Sequence, residues 1–169
     1  MRAGLERRYP DREVKGTVPE RRQARQRRAA GDGVEVGHGA SGVAVRVRYR
    51  DPLTGEARVA NVPYDARGLP IFDDVARFTT RIDRSLDPEM QKVQASRELW
   101  KAIQRGEVRA SQFTPRQLEQ IRRGSKKIRG YTWHHNAQSS PPSMQLIPDR
   151  VHKKVTHIGD VGLNQGGYR

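Results

Sequence analysis

Four of the five histidines in this 169-residue chain fall between residues 134 and 157, and the pattern around them restricts the fold more than any other feature. Ile128 to His135 reads as a strand ending in a histidine pair, and Asn136 to Pro142, with its Ser-Ser-Pro-Pro run, reads as a loop. Met144 to Ile147 is a short second strand, while Val151, Val155 and Ile158 at i, i+4 and i+7 mark a short amphipathic helix over 149–158. A strand–loop–strand–helix unit of this size cannot bury a core of its own. A divalent metal between the strand end and the helix would tie it together, because folding and metal binding are coupled in such units. Imidazole suits first-row transition metals, and three histidines with an open position suit catalysis better than a closed structural site. Two other readings stay open: histidines with no common purpose, and a purely structural zinc site, although four histidines without one cysteine is an unusual structural set.

Charge narrows the partner. Lys and Arg number 33 against 19 acids, a formal net charge of +14, so a polyanion is the expected partner, with an acidic protein fitting the same charge. Zero cysteines exclude a disulfide scaffold, a thiolate zinc site, an iron–sulfur cluster and a cysteine nucleophile. No apolar run approaches the length that spans a bilayer, and the first residues lack the apolar core of a signal peptide. The expectation is therefore a protein without a membrane-spanning segment, cytoplasmic or exported by a specialised system.

The chain divides near residue 42. Residues 1–30 carry +6 without helical or strand periodicity, and Gly31–Gly42 reads as a flexible linker, so 1–42 is expected to be a disordered basic arm. Residues 43–169 hold a net +10 and the periodic segments. Val43 to Arg50 alternates apolar and basic, Asp51 to Gly55 is turn chemistry, and Ala57 to Val62 is a returning strand. Asp87-Pro88-Glu89 opens a helix that Gly106 ends, with Met90, Val93, Trp100 and Ile103 as its apolar stripe. Thr114-Pro115-Arg116-Gln117 is a capping box, with Phe113 and Leu118 at the staple positions and Gly124 after the last turn. Asp73-Asp74 reads as capping or solvated rather than as a catalytic pair.

Tyr131-Thr-Trp-His-His135, Met144-Gln-Leu-Ile-Pro148 and His152-x4-His157-x-Gly159 resemble the HNH (His-Me finger) nucleases of the colicin-type DNase/tRNase toxin family, in its Trp-His-His subgroup. The strong likeness covers about 127–159, and Val62 to Phe72 resembles the short segment before the nuclease finger of such toxins. The resemblance implies an α+β fold, with a C-terminal ββα-metal finger packed on a small helical and β-hairpin region. It implies one divalent ion (Mg, Mn, Ni or Zn) held by His134, His152 and His157, and His135 as the general base that deprotonates water. Gln145 takes the place of the family's middle Asn, whose amide braces the loop. Arg129 joins His135 and Gln145 in the catalytic set, and Lys127, Arg129, Lys153 and Lys154 would hold phosphates without reading sequence.

This sequence departs from the family pattern in several places. Asn136 stands where a third histidine often follows, and Gly159-Asp160 replaces a double glycine. His152 and His157 are five residues apart, about 140° around an ideal helix, so both reach one metal only if the helix stops before His157. The β-branched Val155-Thr156 pair and Gly159 suit such a stop, and His157 then either ligates from beyond the helix end or contacts phosphate. The expectation is a metal-dependent endonuclease, with DNA ahead of RNA as substrate, acting as an antibacterial toxin domain with an acidic immunity protein as partner. The alternatives are an RNase or tRNase toxin and a non-catalytic, metal-stabilised nucleic-acid-binding module.

Overall fold

The structure is a computed structural model that describes residues 34–39, 42–67 and 69–155. The basic stretch 1–33, expected to be disordered, lies outside the described residues, as do His157 and Gly159. In chain order the elements are β1 (Val34–Gly39), β2 (Gly42–Arg50), β3 (Ala57–Pro63), β4 (Phe78–Arg81), α1 (Pro88–Gln104), α2 (Pro115–Arg122), β5 (Tyr131–His135), β6 (Ser143–Pro148) and α3 (Asp149–Lys154), with a short 3-10 turn at Ala110–Gln112. The fold class is mixed α+β, as expected. Among the described residues no helix is long and apolar enough to cross a membrane.

Two three-stranded antiparallel sheets carry the fold, ordered β1-β2-β3 and β4-β6-β5. The β2–β3 hairpin is the one the alternating sequence indicates. Asp51 closes its turn, the carboxylate accepting from the backbone N–H of Leu53 (2.8 Å) and Thr54 (3.3 Å). The expected linker is corrected here: Val34 to Gly39 pairs with Gly42 to Val47 as an edge strand. Alternating Val34, Glu35 and Val36 match the period of β2, which outweighs the glycines around them.

The helices start where their caps predict. Asp87 accepts from the N–H groups of Glu89 and Met90 ahead of Pro88–Gln104, and the full capping box between Thr114 and Gln117 opens α2. The buried face of α1 differs from the expected stripe. It consists of Gln91, Ala95, Ser96, Leu99 and Ala102, while Trp100 and Ile103 flank the core and Met90 is exposed. Small side chains at 95 and 102 line this face, and its two polar residues are paired: Ser96 accepts from the Trp133 indole and donates to the Ser125 carbonyl, and Gln91 meets the His135 ring.

Strand β6 is buried along its whole length, because both of its faces are covered. Met144 and Leu146 join Ile82, Leu99, Phe113, Ile121, Ile128, Tyr131 and Trp133 in a core beneath α1 and α2. Ile147 points the other way and joins Val45, Val47, Ala60, Val62, Phe72, Val151 and Val155 in a second core, which packs α3 against the first sheet. The order of layers is therefore α1/α2, the β4-β6-β5 sheet, α3, and the β1-β2-β3 sheet. The hairpin turn is fastened to the second sheet as well. Asp51, its side chain 1% exposed, pairs with Arg77 at 2.5 Å, and the buried Gln117 amide donates to the carbonyls of Pro52 and Arg129.

Candidate active site

Strand–loop–strand–helix order is observed at the C-terminal end of the described chain, as β5, a loop over 136–142, β6 and α3. The helix is shorter than the expected 149–158. It ends at Lys154, and Val155 is extended (φ −93°, ψ 111°). The chain has thus left the helix before His157, the condition under which that residue could approach His152. Strand β5 likewise begins at Tyr131 rather than Ile128, since Ile128 accepts the turn hydrogen bond from the Tyr131 N–H that precedes the strand.

His134 and His152 come together across the β5–α3 junction. Their ring centroids lie 5.3 Å apart in an edge-on arrangement, and Phe72 touches both, at 4.8 Å from His134 and 6.0 Å from His152. Phe72 is fully buried, so it forms an apolar floor under the two imidazoles. Burial pushes the His152 imidazole below its ordinary value; Asp149 pulls it back up and Lys153 pushes it further down. The balance favours the neutral ring, the form that can donate a lone pair.

Gln145 is the register partner of His134, so the two side chains share one face of the sheet. Its Nε2 donates to Asp73 Oδ1 at 2.8 Å, while its Oε1 is buried with no hydrogen-bond partner. Asp73 thus does more than cap or face solvent: it orients this amide from 72 residues away.

His135 stands on the opposite side of the pleat from His134. Its Nε2 lies 2.5 Å from Oε1 of Gln91 on α1, and the residue is 7% exposed. Next to it the Trp133 indole donates to Ser96 Oγ at 2.9 Å. The histidine pair therefore reaches two surroundings, His134 with α3 and His135 with α1, because successive strand residues point to opposite faces.

The expected phosphate contacts fall on the periphery. Lys127 and Arg129 are exposed just before β5, with the backbone of Arg129 held by Gln120 Oε1 and by Gln117. Lys153 is exposed on α3 and pairs with Asp149 at 2.6 Å, and Lys154 follows it, half-buried. The loop between the strands is clamped by the segment before β4: Arg67 donates to the Ala137 carbonyl at 2.6 Å, and the Gln138 amide donates to Asp65 and to the Pro70 carbonyl.

Sequence reasoning did not assign Phe72, Asp73 or Gln91 to the site. Phe72 lay at the end of a segment noted for its resemblance alone. Gln91 carried a usable signal, since a polar residue at the head of the series 91, 95, 99 invites a buried partner.

Among the described residues no group of three or more His, Cys, Asp or Glu side chains could hold a metal ion. No curated protein and no solved structure matches the chain. A family model of the DNase/tRNase domain of colicin-like bacteriocins matches residues 62–159, from the last residues of β3 through the loop clamp, both helices and the histidine-bearing unit. That match spans more than half of the sequence and takes in every histidine of the site, so the chain belongs to the nuclease-toxin family formed by the DNase/tRNase domains of colicin-like bacteriocins.

Proposed function

We propose that this domain is an HNH-type, divalent-metal-dependent endonuclease that hydrolyses phosphodiester bonds, with DNA as its substrate. The observation that carries the reading is the edge-on meeting of His134 and His152 over Phe72, with His135 next in the strand. Part of a divalent-ion donor set is in place: the His134 and His152 rings lie side by side, burial favours the neutral form of His152, and a buried amide oxygen of Gln145 lies on the same sheet face as His134. His134 and His152 would hold the ion, and His157, outside the described residues, would be the third ligand. When bound, the ion supplies neutralising charge for the scissile phosphate and the leaving 3′ oxygen.

The chain's own residues do the rest. His135 removes a proton from the attacking water, a task suited to a neutral imidazole near neutral pH. Gln145, held by Asp73, keeps β6 and the loop in place beside His134. Lys127, Arg129 and Lys153 lie exposed around the unit and would neutralise neighbouring phosphates, a sequence-independent and salt-sensitive contribution. The strongly basic chain also suits an acidic immunity protein as partner.

Two adjacent alanine substitutions test the reading. His134→Ala should lose metal affinity and local order. His135→Ala should bind metal and nucleic acid normally while turnover falls by roughly 10²-fold or more. Metal binding is read by calorimetry, and cleavage on plasmid DNA and on total RNA with Mg²⁺, Mn²⁺, Ni²⁺ or Zn²⁺, with EDTA as control. Cleavage of RNA alone would replace DNA by RNA as substrate. Degradation of neither polymer would leave a metal-stabilised binding module, and a His135→Ala variant at the wild-type rate would refute the mechanism.

A further inference from the structure

We propose that Gln91 is a positioning residue for His135, fixing the imidazole as its Nε2–H tautomer so that the proton-accepting atom is Nδ1. The inference rests on the reading of His135 as the base, and it starts from a chain of two short hydrogen bonds. Gln91 Nε2 lies 2.6 Å from the carbonyl oxygen of Leu86, and Gln91 Oε1 lies 2.5 Å from His135 Nε2. A carbonyl only accepts, so the amide nitrogen must face Leu86. The amide oxygen, also only an acceptor, must then face the imidazole. The proton on His135 Nε2 follows from this network.

Burial makes the assignment strict. Gln91 is 3% exposed and His135 is 7% exposed, so a flipped amide would set two oxygens against each other without water to relieve them. Leu86 lies in the turn just before α1, and Gln91 is in the first turn of the helix that Asp87 caps. The cap thereby sets the carbonyl, the carbonyl sets the amide, and the amide sets the ring 44 residues away. Orienting partners of this kind are worth roughly 10- to 100-fold in activity where they hold metal-binding histidines, and the same scale is expected here.

The test combines a spectroscopic readout with turnover. In ¹⁵N-labelled wild-type protein, His135 should show a slowly exchanging Nε2–H correlation with Nδ1 unprotonated; an Nδ1–H ring would overturn the proposal. Gln91→Met keeps the volume and removes the acceptor. It should broaden or lose that resonance and lower kcat roughly 10- to 100-fold with KM unchanged. Wild-type kcat in Gln91→Met would overturn the role. The wild-type spectrum decides the tautomer even if Gln91→Met fails to fold. His135→Ala, assayed beside them, separates the two ideas. Full activity there removes the base itself, whereas an inactive His135→Ala beside a fully active Gln91→Met removes only the positioning role.

Discussion

Replacing Asp51 by asparagine probes the joint between the β2–β3 hairpin and the sheet that carries the histidines. The Asp51 carboxylate, 1% exposed, faces Arg77 at 2.5 Å and Arg58 at 3.1 Å. Removing one member of a fully buried ion pair costs about 3–5 kcal/mol, because the other charge is stranded. Here Arg77 and Arg58 keep 29% and 51% of their side chains in contact with solvent, so water can re-solvate both. Asparagine also retains the oxygen that accepts from Leu53 and Thr54. The expected loss is therefore about 2 kcal/mol, a fall in Tm of about 6–10 °C for a domain of this size.

The pH dependence gives the sharper test. Burial pushes the Asp51 carboxyl up, but the Leu53 and Thr54 N–H groups, Arg77 and Arg58 together outweigh it and hold the group below its ordinary value of 3.8. A depressed carboxyl stabilises the fold above its unfolded value, and that contribution is lost as pH falls through the folded value. Thermal melts of wild type and Asp51→Asn should thus differ at pH 7 and converge well below the ordinary value of 3.8. Acid destabilisation of the basic chain as a whole cancels in the difference. Equal Tm values at pH 7, or a gap that persists undiminished in acid, would refute the argument.

Phe72→Ala should cost about 3–5 kcal/mol, as for other fully buried aromatics, and calorimetry should also show weaker divalent-metal binding, since the floor under His134 and His152 is gone although no ligand is. A Phe72→Ala variant with wild-type metal affinity would show that the floor does not position the imidazoles. Gly130→Ala should destabilise by about 2 kcal/mol or more, measured by denaturant unfolding: Gly130 sits at φ 81°, and an added Cβ would stand 2.8 Å from Pro52 Cβ. An unchanged midpoint would mean that the hairpin tip can back away from β5 at no cost.

Much of the local structure was written in the sequence. The Asp87 and Thr114 caps, the proline at the first helical position and the glycines after the last turns act over three or four residues, so their hydrogen bonds can be read before the fold is known. The same holds for the β2–β3 hairpin, whose turn is closed by Asp51 within its own five residues, and for the two strands and helix around the histidines. The matched family segment was legible for a similar reason, since its motifs are short and contiguous. The length of α3 was less so, because a periodic pattern does not say where hydrogen bonding stops.

What only the tertiary structure decided depends on residues far apart in the chain. The face that α1 buries is chosen by packing and by buried polar groups that need partners, which is why Gln91 and Ser96 are inside and Met90 is out. Asp73 meets Gln145 across 72 residues, Asp51 meets Arg77 across 26, and His135 meets Gln91 across 44. Strand periodicity implies that His134 and His135 point to opposite faces, but only the packing of α1 and α3 on those two faces determines what each imidazole meets. The sequence by itself determined which elements form and which side chains could do chemistry; the packed layers decided their partners, because a hydrogen bond between distant residues exists only once burial has brought them together.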